Sequence, residues 1–453
     1  MPNLQSLPGF RDFYPDDMAV RAHLTEVWRD TARRYGFQEY DGPPLEPLEL
    51  YTHKSGSEIV QQLYNFVDKG GREVALRPEM TPTFARMVAA RVGGMPKPVK
   101  WFSIPQLFRY ERQQRGRLRE HFQFNMDIVG EPGEGADAEL VAAAIDTVRA
   151  FGLGADDVIL RVSDRRLLAA LLLRAGVAGE RLARAYSVVD KVERESRESL
   201  ETRLSAETGL DARAAGGVLE LFAAGELEAV RQAHGDNHDI AGALERVDTF
   251  FELMGEMGLR DFVRFDLSVV RGLAYYTGIV FELFDARSEL RAVAGGGRYD
   301  GLLSTVGGPD LPAAGFAMGD VVLRELLVER GLLPGVEPAL DYYLVAVTPD
   351  DRSEVLRLAH RLRDRGWSVE YGLRHQGAGK QFKNADSAGA RLAVVIGPEE
   401  RAAGVALVRK MKSGEEEKVP LAELAARHFG RAQSDDPTSS HDDGERKDTH
   451  PAR

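Results

Sequence analysis

An α+β fold built on an antiparallel sheet with flanking helices is predicted for residues 1–325, followed by a smaller α/β domain. Three observations predict it. Short β-rich runs alternate with turns and one helical stretch from about residue 74 to 129. Strand signals then vanish over about 165–255, where Ala, Leu, Glu and Arg dominate, and resume near Phe262. Beyond about residue 340, strand-like and helix-like segments alternate as in a largely parallel sheet.

Periodicity justifies each element in turn. Residues 18–35 carry apolar positions at helical spacing (Leu24, Val27, Trp28, Tyr35) and stop at Gly36. Residues 37–46 read as an extended segment closed by Pro43-Pro44, and 82–92 as a helix. WFSIPQLFRYER and HFQFNMDIVGE read as two strands flanking a basic loop, 113–119. RRLLAALLLRAG and IAGALERVDTFFELMGEMG are amphipathic, so 165–255 is expected as a helical insertion; a further helical layer of one large domain is the plainer alternative. ERGLLPGVEPALD, with two glycines and two prolines, predicts a linker over 326–339. DYYLVAVTP, a helix through Arg365, WSVEYGL, a second helix and ARLAVVIG then build the α/β domain of 340–430. The tail, 431–453, is polar with mixed charge and is expected to be disordered. There are no internal repeats.

Composition removes several function classes. The 453 residues call for two or three domains. No apolar run is long enough to span a bilayer, and the N-terminus lacks the basic-then-apolar pattern of a signal peptide. With no cysteine, disulfides, thiolate metal sites and thiol nucleophiles are excluded, which fits a cytoplasmic protein. A net charge of −12 argues against nonspecific coating of nucleic acid but leaves room for a structured RNA held by a local basic patch. The ten histidines show no metal-ligand spacing, so no zinc site is expected.

The most informative stretch is Arg271-Gly-Leu-Ala-Tyr275-Tyr276-Thr-Gly278-Ile-Val-Phe-Glu282. It joins a fixed cation to two phenols in a run that otherwise reads as strand. An Arg in such a place faces an anion in a cleft, and aromatics with hydroxyl handles suit a flat polar ligand. In isolation, ordinary core aromatics are the default reading of Tyr275 and Tyr276. Phe108-Arg-Tyr-Glu-Arg112 sets Arg109 and Glu111 at spacing two, hence on one face of a strand, where they suit a phosphate and an amino group. A solvated ladder of ion pairs is the commoner origin of such alternation. Gln123, Asn125 and Asp127 share a strand face in the same way, and Leu76-Arg77-Pro-Glu79-Met-Thr81 lies upstream.

These motifs together resemble the histidyl-tRNA synthetase family, within the class II aminoacyl-tRNA synthetases. Gly36-Phe37…Pro43 resembles the first class II motif, FRYERQQRGRLREHFQ the second, and Gly315-Phe-Ala-Met-Gly319 the start of the third. RGLAYYTG and Ala294-Gly-Gly-Gly-Arg-Tyr-Asp300 resemble histidine-specific segments. The resemblance implies a class II sheet, an anticodon-binding-like C-terminal domain and a homodimer. It implies ligation of L-histidine to histidine tRNA through a histidyl-adenylate, with ATP and its Mg²⁺. Arg109 would bind the α-phosphate, Glu111 would lie near the adenine amine, and Arg117 near the terminal phosphates. Glu79, Thr81, Gln123 and Asp127 would hold the histidine, Tyr275 and Tyr276 would line the imidazole pocket, and Arg271 would contact both carboxylate and α-phosphate. Arg112 and Gln114 match positions associated with the tRNA acceptor end. Lys380 and Lys383, near a helix start, would contact RNA phosphates; a charged helix face without a partner is the plainer reading.

The pattern departs from the family in four places. Asp127 stands where Glu is usual, one methylene shorter. Ala274 replaces an acidic residue. His121-Phe122 reverses the usual Phe-His order, setting an imidazole where an adenine-stacking ring is expected. The third motif normally continues Gly-Leu-Glu-Arg with the Arg over ATP, whereas Gly319 is followed by Asp320-Val321-Val322. Arg324 lies about 200° further round a helix and faces elsewhere. These departures keep a second expectation open: a catalytically silent relative serving as regulatory subunit of ATP phosphoribosyltransferase in histidine biosynthesis.

Overall fold

The first half of the chain is organised by one ten-residue strand with alternating faces. The computed structural model of the chain describes residues 4–52, 62–112, 114–192, 194–224, 226–270, 275–287, 290–333, 340–424 and 426. They fall into two compact units, 1–334 and 335–453. The strands of the first unit are β1 (Gln38–Glu39), β2 (Leu45–Pro47), β3 (Asn65–Val67), β4 (Glu73–Leu76), β5 (Val99–Ser103), β6 (Gln106–Phe108), β7 (Glu120–Val129), β8 (Val158–Asp164), β9 (Val263–Phe265), β10 (Ile279–Asp285), β11 (Ala294–Arg298) and β12 (Ala313–Gly319). The large sheet runs β1-β5-β7-β12-β11-β10-β8-β9, with β6 paired to the start of β7, while β2-β4-β3 form a small separate sheet. Only the outer pairs β1·β5 and β8·β9 are parallel.

Period-two alternation gives the large sheet two unlike faces. Phe124, Met126 and Ile128 of β7, Ala314, Phe316 and Met318 of β12, and Ile279, Phe281 and Leu283 of β10 enter one apolar core. The helices Pro15–Arg34, Glu134–Ala150, His238–Glu256 and Asp320–Arg330 close over it with Trp28, Val141, Phe250 and Leu326 among others. Trp28 stacks on Phe124 with centroids 5.7 Å apart at 10°. Burial of each such side chain stabilises by about 1.5–3 kcal/mol. The intervening residues, Gln123, Asn125 and Asp127 on β7 with Gly315 and Ala317 on β12, line the opposite face. There the helix Thr81–Ala89 packs Phe84 and Val88 against Val129 and Val280.

Between β8 and β9 the chain is helical, from Arg165–Arg174 to His238–Glu256. Leu168, Leu172, Leu200, Leu204, Val218 and Leu219 form a separate apolar cluster there. Asp164 and Asn237 cap two of these helices by accepting from the Leu167 and Ile240 amides.

Four expectations need correction. The run through residues 101–112 is broken into β5 and β6 at Ile104-Pro105, since proline offers no N–H to a ladder, and pairing stops at Phe108. Arg109 and Glu111 therefore follow the strand rather than lie on it. Tyr275 and Tyr276 likewise precede their strand, which begins at Ile279. The linker expected to start at 326 is helix as far as Arg330, because Leu326 and Leu327 are buried; left-handed Gly331 (φ 65°) ends it. Residues 334–339 and the tail 431–453 lie outside the described residues.

The second unit has strands β13 (Leu340–Ala346), β14 (Val369–Tyr371), β15 (Ala390–Ile396), β16 (Val405–Lys410) and β17 (Glu416–Pro420), ordered β14-β13-β15-β16-β17. The first three are parallel and the last two antiparallel, so the sheet is mixed rather than largely parallel. Helices Arg352–Arg363 and Ala378–Ser387 join the parallel strands. Among the described residues, no helix is long and apolar enough to cross a membrane.

Candidate active site

Two adjoining cavities occupy the face of the large sheet away from the main helical core. The larger, about 640 Å³, is lined by Arg109, Glu111, Arg117, His121 and Gln123, by Glu282 and Phe284 of β10, and by Arg194, Arg291 and Val322. The smaller, about 70 Å³, is lined by Glu79, Thr81, Gln123, Asn125, Asp127, Tyr275, Tyr276 and Tyr299. Arg109, Gln123, Gly295 and Ala317 line both. A ligand reaching from one to the other would pass these four residues.

The basic loop is tied down around the larger cavity. Arg109 Nε donates to the Pro78 carbonyl (2.9 Å), which joins the loop to the segment bearing Glu79. Glu111 is paired with Arg117 at 2.8 Å. Arg119 donates to the Glu111 carbonyl at 3.2 Å and stands 4.4 Å over the Tyr110 ring. Arg115 pairs with Glu325 (3.3 Å) and Glu329 on helix Asp320–Arg330. Burial, reinforced by the positive charge of Arg109 and Arg11, pushes the His121 imidazole down to about 3. His121 is thus neutral at pH 7 and offers a flat ring without repelling its cationic neighbours.

The smaller cavity is made by hydrogen bonding and missing side chains. Asp127 is 4% exposed, and burial raises its carboxyl to about 7 against the opposing effect of the Tyr299 hydroxyl, which donates to it. Tyr299 meets the Tyr275 ring edge-on at 5.9 Å, and Tyr275 and Tyr276 lie 5.0 Å apart. The Tyr275 hydroxyl reaches Glu79 at 3.5 Å. A Cβ at Gly315 would stand 2.1 Å from Asp127 Oδ1 and 2.8 Å from the Tyr299 hydroxyl. One at Gly296 would meet the Gly315 carbonyl at 2.3 Å. Gly296 and Gly297 are therefore part of β11, kept bare so that their neighbours can approach.

The departure after Gly319 has a local cause. Asp320 is 4% exposed; it accepts from Arg11 at 2.8 Å and from the Phe122 amide at 2.9 Å, joining helix Asp320–Arg330 to the N-terminal segment and β7. Val322 completes the apolar side of the larger cavity, and Arg324 turns away to Asp17 at 3.3 Å.

The structure thus brings Glu111, Arg117 and His121 to one cavity and Glu79, Thr81, Asp127, Tyr275 and Tyr276 to the other, with Arg109 and Gln123 shared. Arg271 lies outside the described residues. Arg112 and Gln114 are exposed beside the larger cavity's loop, and Lys380 and Lys383 are exposed on helix Ala378–Ser387 of the second unit. Tyr299, Arg194 and Arg291 are lining residues that the sequence reading left without a role. Tyr299 sits inside a quoted motif, but its meeting with Asp127 depends on the β7·β12·β11 register. No local signal marks Arg194 or Arg291. Among the described residues, no group of three or more His, Asp and Glu could hold a metal ion.

Comparison with known proteins agrees across nearly the whole chain. A family model described as histidyl-tRNA synthetase matches residues 9–321, and one described as anticodon binding domain matches 341–427. The chain belongs to the histidyl-tRNA synthetase family. A histidine–tRNA ligase of Opitutus terrae is 46% identical over 94% of this chain and 98% of its own length. The chloroplastic/mitochondrial histidine–tRNA ligase of Arabidopsis thaliana is 41% identical over 92% of this chain and 85% of its own. In fold, the chain is similar to a histidyl-tRNA synthetase from a Nostoc species, with a TM-score of 0.80 at 23% identity over 94% of this chain and 99% of that one. It is also similar to a Bacillus halodurans protein titled ATP phosphoribosyltransferase regulatory subunit/histidyl-tRNA synthetase, with a TM-score of 0.71 at 23% identity over 87% and 98%.

Proposed function

We propose that this chain joins L-histidine to its tRNA in two steps, each run by the paired cavities. The observation that carries the reading is their junction: a guanidinium-lined cavity meets an acceptor-rich one at Arg109 and Gln123. ATP, arriving with its Mg²⁺, fills the larger. Histidine fills the smaller, its α-amino group among Glu79, Thr81 and Gln123 and its imidazole between Tyr275, Tyr276 and Asp127. The second expectation, a regulatory role without catalysis, is less supported, since the relatives that match nearly the whole chain are named histidine–tRNA ligases.

A carboxylate oxygen of histidine attacks the α-phosphorus of ATP, and the bond to the β-phosphate oxygen breaks to release pyrophosphate. Two anions must approach, so positive charge has to be fixed in advance. Arg109 supplies it at the junction, and Arg271 is the second cation that the family resemblance assigns to the carboxylate and the α-phosphate. A ribose hydroxyl at the tRNA 3′ end then attacks the acyl carbon; its proton is lost and AMP leaves. No protein nucleophile is needed. Arg112 and Gln114 flank the acceptor end, while Lys380 and Lys383 contact anticodon-stem phosphates. The chain works as a homodimer joined through 36–43, which includes the sheet-edge strand β1.

Histidine-dependent exchange of labelled pyrophosphate into ATP tests the reading. Exchange with histidine and none with other amino acids is expected. A folded chain without exchange would falsify it. Arg271→Ala should lower the exchange rate by about two to three decades, as does loss of one charge-matched donor in comparable sites.

A further inference from the structure

Cations outnumber carboxylates around the larger cavity. Its described charged lining is Arg109, Arg117, Arg194 and Arg291 against Glu111 and Glu282, with His121 neutral. This local surplus stands in a chain of net charge −12, so it is a feature of the site and not of the composition. Arg291 lies in the β10–β11 connection, with its side chain exposed. Its guanidinium is pushed below its ordinary range first by desolvation and then by Arg117 and Arg194, with Glu111 acting the other way. Gathered guanidiniums repel one another unless a polyanion lies among them.

Position explains which part of the ligand they meet. A Cβ on Gly116 would stand 3.2 Å from Val322 Cγ2 and 3.8 Å from Arg291 Cδ, so Val322 and Arg291 flank one point of the loop. Arg291 also donates to Gln114 Oε1, across the loop from the Glu111–Arg117 pair. The aliphatic side chain at 322 and the guanidinium at 291 thus share one corner of the cavity, and neither is among the four residues that line both cavities, where the α-phosphate would react.

We propose that Arg291, with Arg117 and Arg194, clamps the β- and γ-phosphates of ATP and supplies from a neighbouring hairpin the cation that position 322 lacks. The inference rests on the synthetase reading for the identity of the nucleotide. The competing explanation is purely structural, with Arg291 serving only to hold Gln114 and the loop.

Equilibrium binding of ATP and of AMP to the unmodified chain, Arg291→Ala and Arg291→Lys separates the two, with KM values from pyrophosphate exchange alongside. A phosphate clamp predicts that Arg291→Ala weakens ATP and raises the KM for pyrophosphate by about tenfold or more, as for loss of a charge-assisted hydrogen bond. AMP binding and the KM for histidine should stay within about twofold, since neither ligand carries those phosphates, and lysine should recover part of the loss. Equal weakening of AMP and ATP, or no change in either, overturns the clamp. Absence of exchange by the unmodified chain would sink the synthetase reading alone, because the ATP-to-AMP binding ratio of the variants still reports on Arg291.

Discussion

The two cavities recognise their ligands by different physics. The larger is rimmed by long guanidinium side chains on a loop and a hairpin, several of them exposed, acting by charge that can be delivered from more than one backbone position. The smaller is floored by residues of β7, β11 and β12 in fixed register and closed by side chains just off the strands, where a carboxylate, a phenol and a bare Cα must coincide to within a fraction of an ångström. Charge recognition tolerates a change of address, as between positions 322 and 291. Shape recognition does not.

The largest expected effect tests the point where the two meet. Arg109→Ala removes a cation that lines both cavities and should lower the exchange rate by about two to three decades. A defect confined to the ATP KM would separate the cavities more completely than the shared lining implies. Gly315→Ala should break only the smaller one: its Cβ forces Asp127 or Tyr299 aside, and a displacement of about 1 Å can cost about a hundredfold in turnover. ATP binding should survive that substitution, which calorimetry without histidine would check.

Asp127→Asn sharpens the contrast further. It keeps the shape but not the carboxylate, and should raise the KM for histidine by about ten- to a hundredfold. Its effect on stability has the opposite sign at neutral pH. Burial raises the Asp127 carboxyl to about 7 from an unfolded value near 4, so between those values the native state holds a proton that the unfolded chain has released. Stability from this group therefore falls as pH rises through that window and levels off above it. Melting temperatures at pH 5 and pH 8 should show Asp127→Asn gaining on the parent at the higher pH; a constant difference would mean Asp127 is not buried as a proton-holding acid. The smallest effect is expected at His121→Phe, which exchanges one flat neutral ring for another and should change the KM for ATP by no more than about threefold.

What could be read from the sequence follows the same division. The strand face carrying Gln123, Asn125 and Asp127 was legible because period two is a property of local backbone. The helical character of 165–255 was legible from composition and spacing alone. The end of pairing just beyond Phe108 was not: the Arg109 amide still reaches the Arg119 carbonyl, but the Tyr110 amide then turns to the distant Gln62 carbonyl and the Glu111 amide to the Arg109 carbonyl. Nor was the start of the strand at Ile279, since aromatic and β-branched residues satisfy strand propensity on either side of that boundary. The missing cation at 322 was visible as a gap, but Arg291 lies 31 residues before it in the chain and reaches the same corner only because β10, β11 and β12 are neighbours.

The two-faced strand β7 also restricts how this gene can drift. Deleting a single codon within Glu120–Val129 would turn Ile128 toward the ligand and sink Asp127 into the helical layer. A substitution there disturbs one side chain, but a change of length disturbs both faces at once, so insertions and deletions among related sequences should fall outside this run.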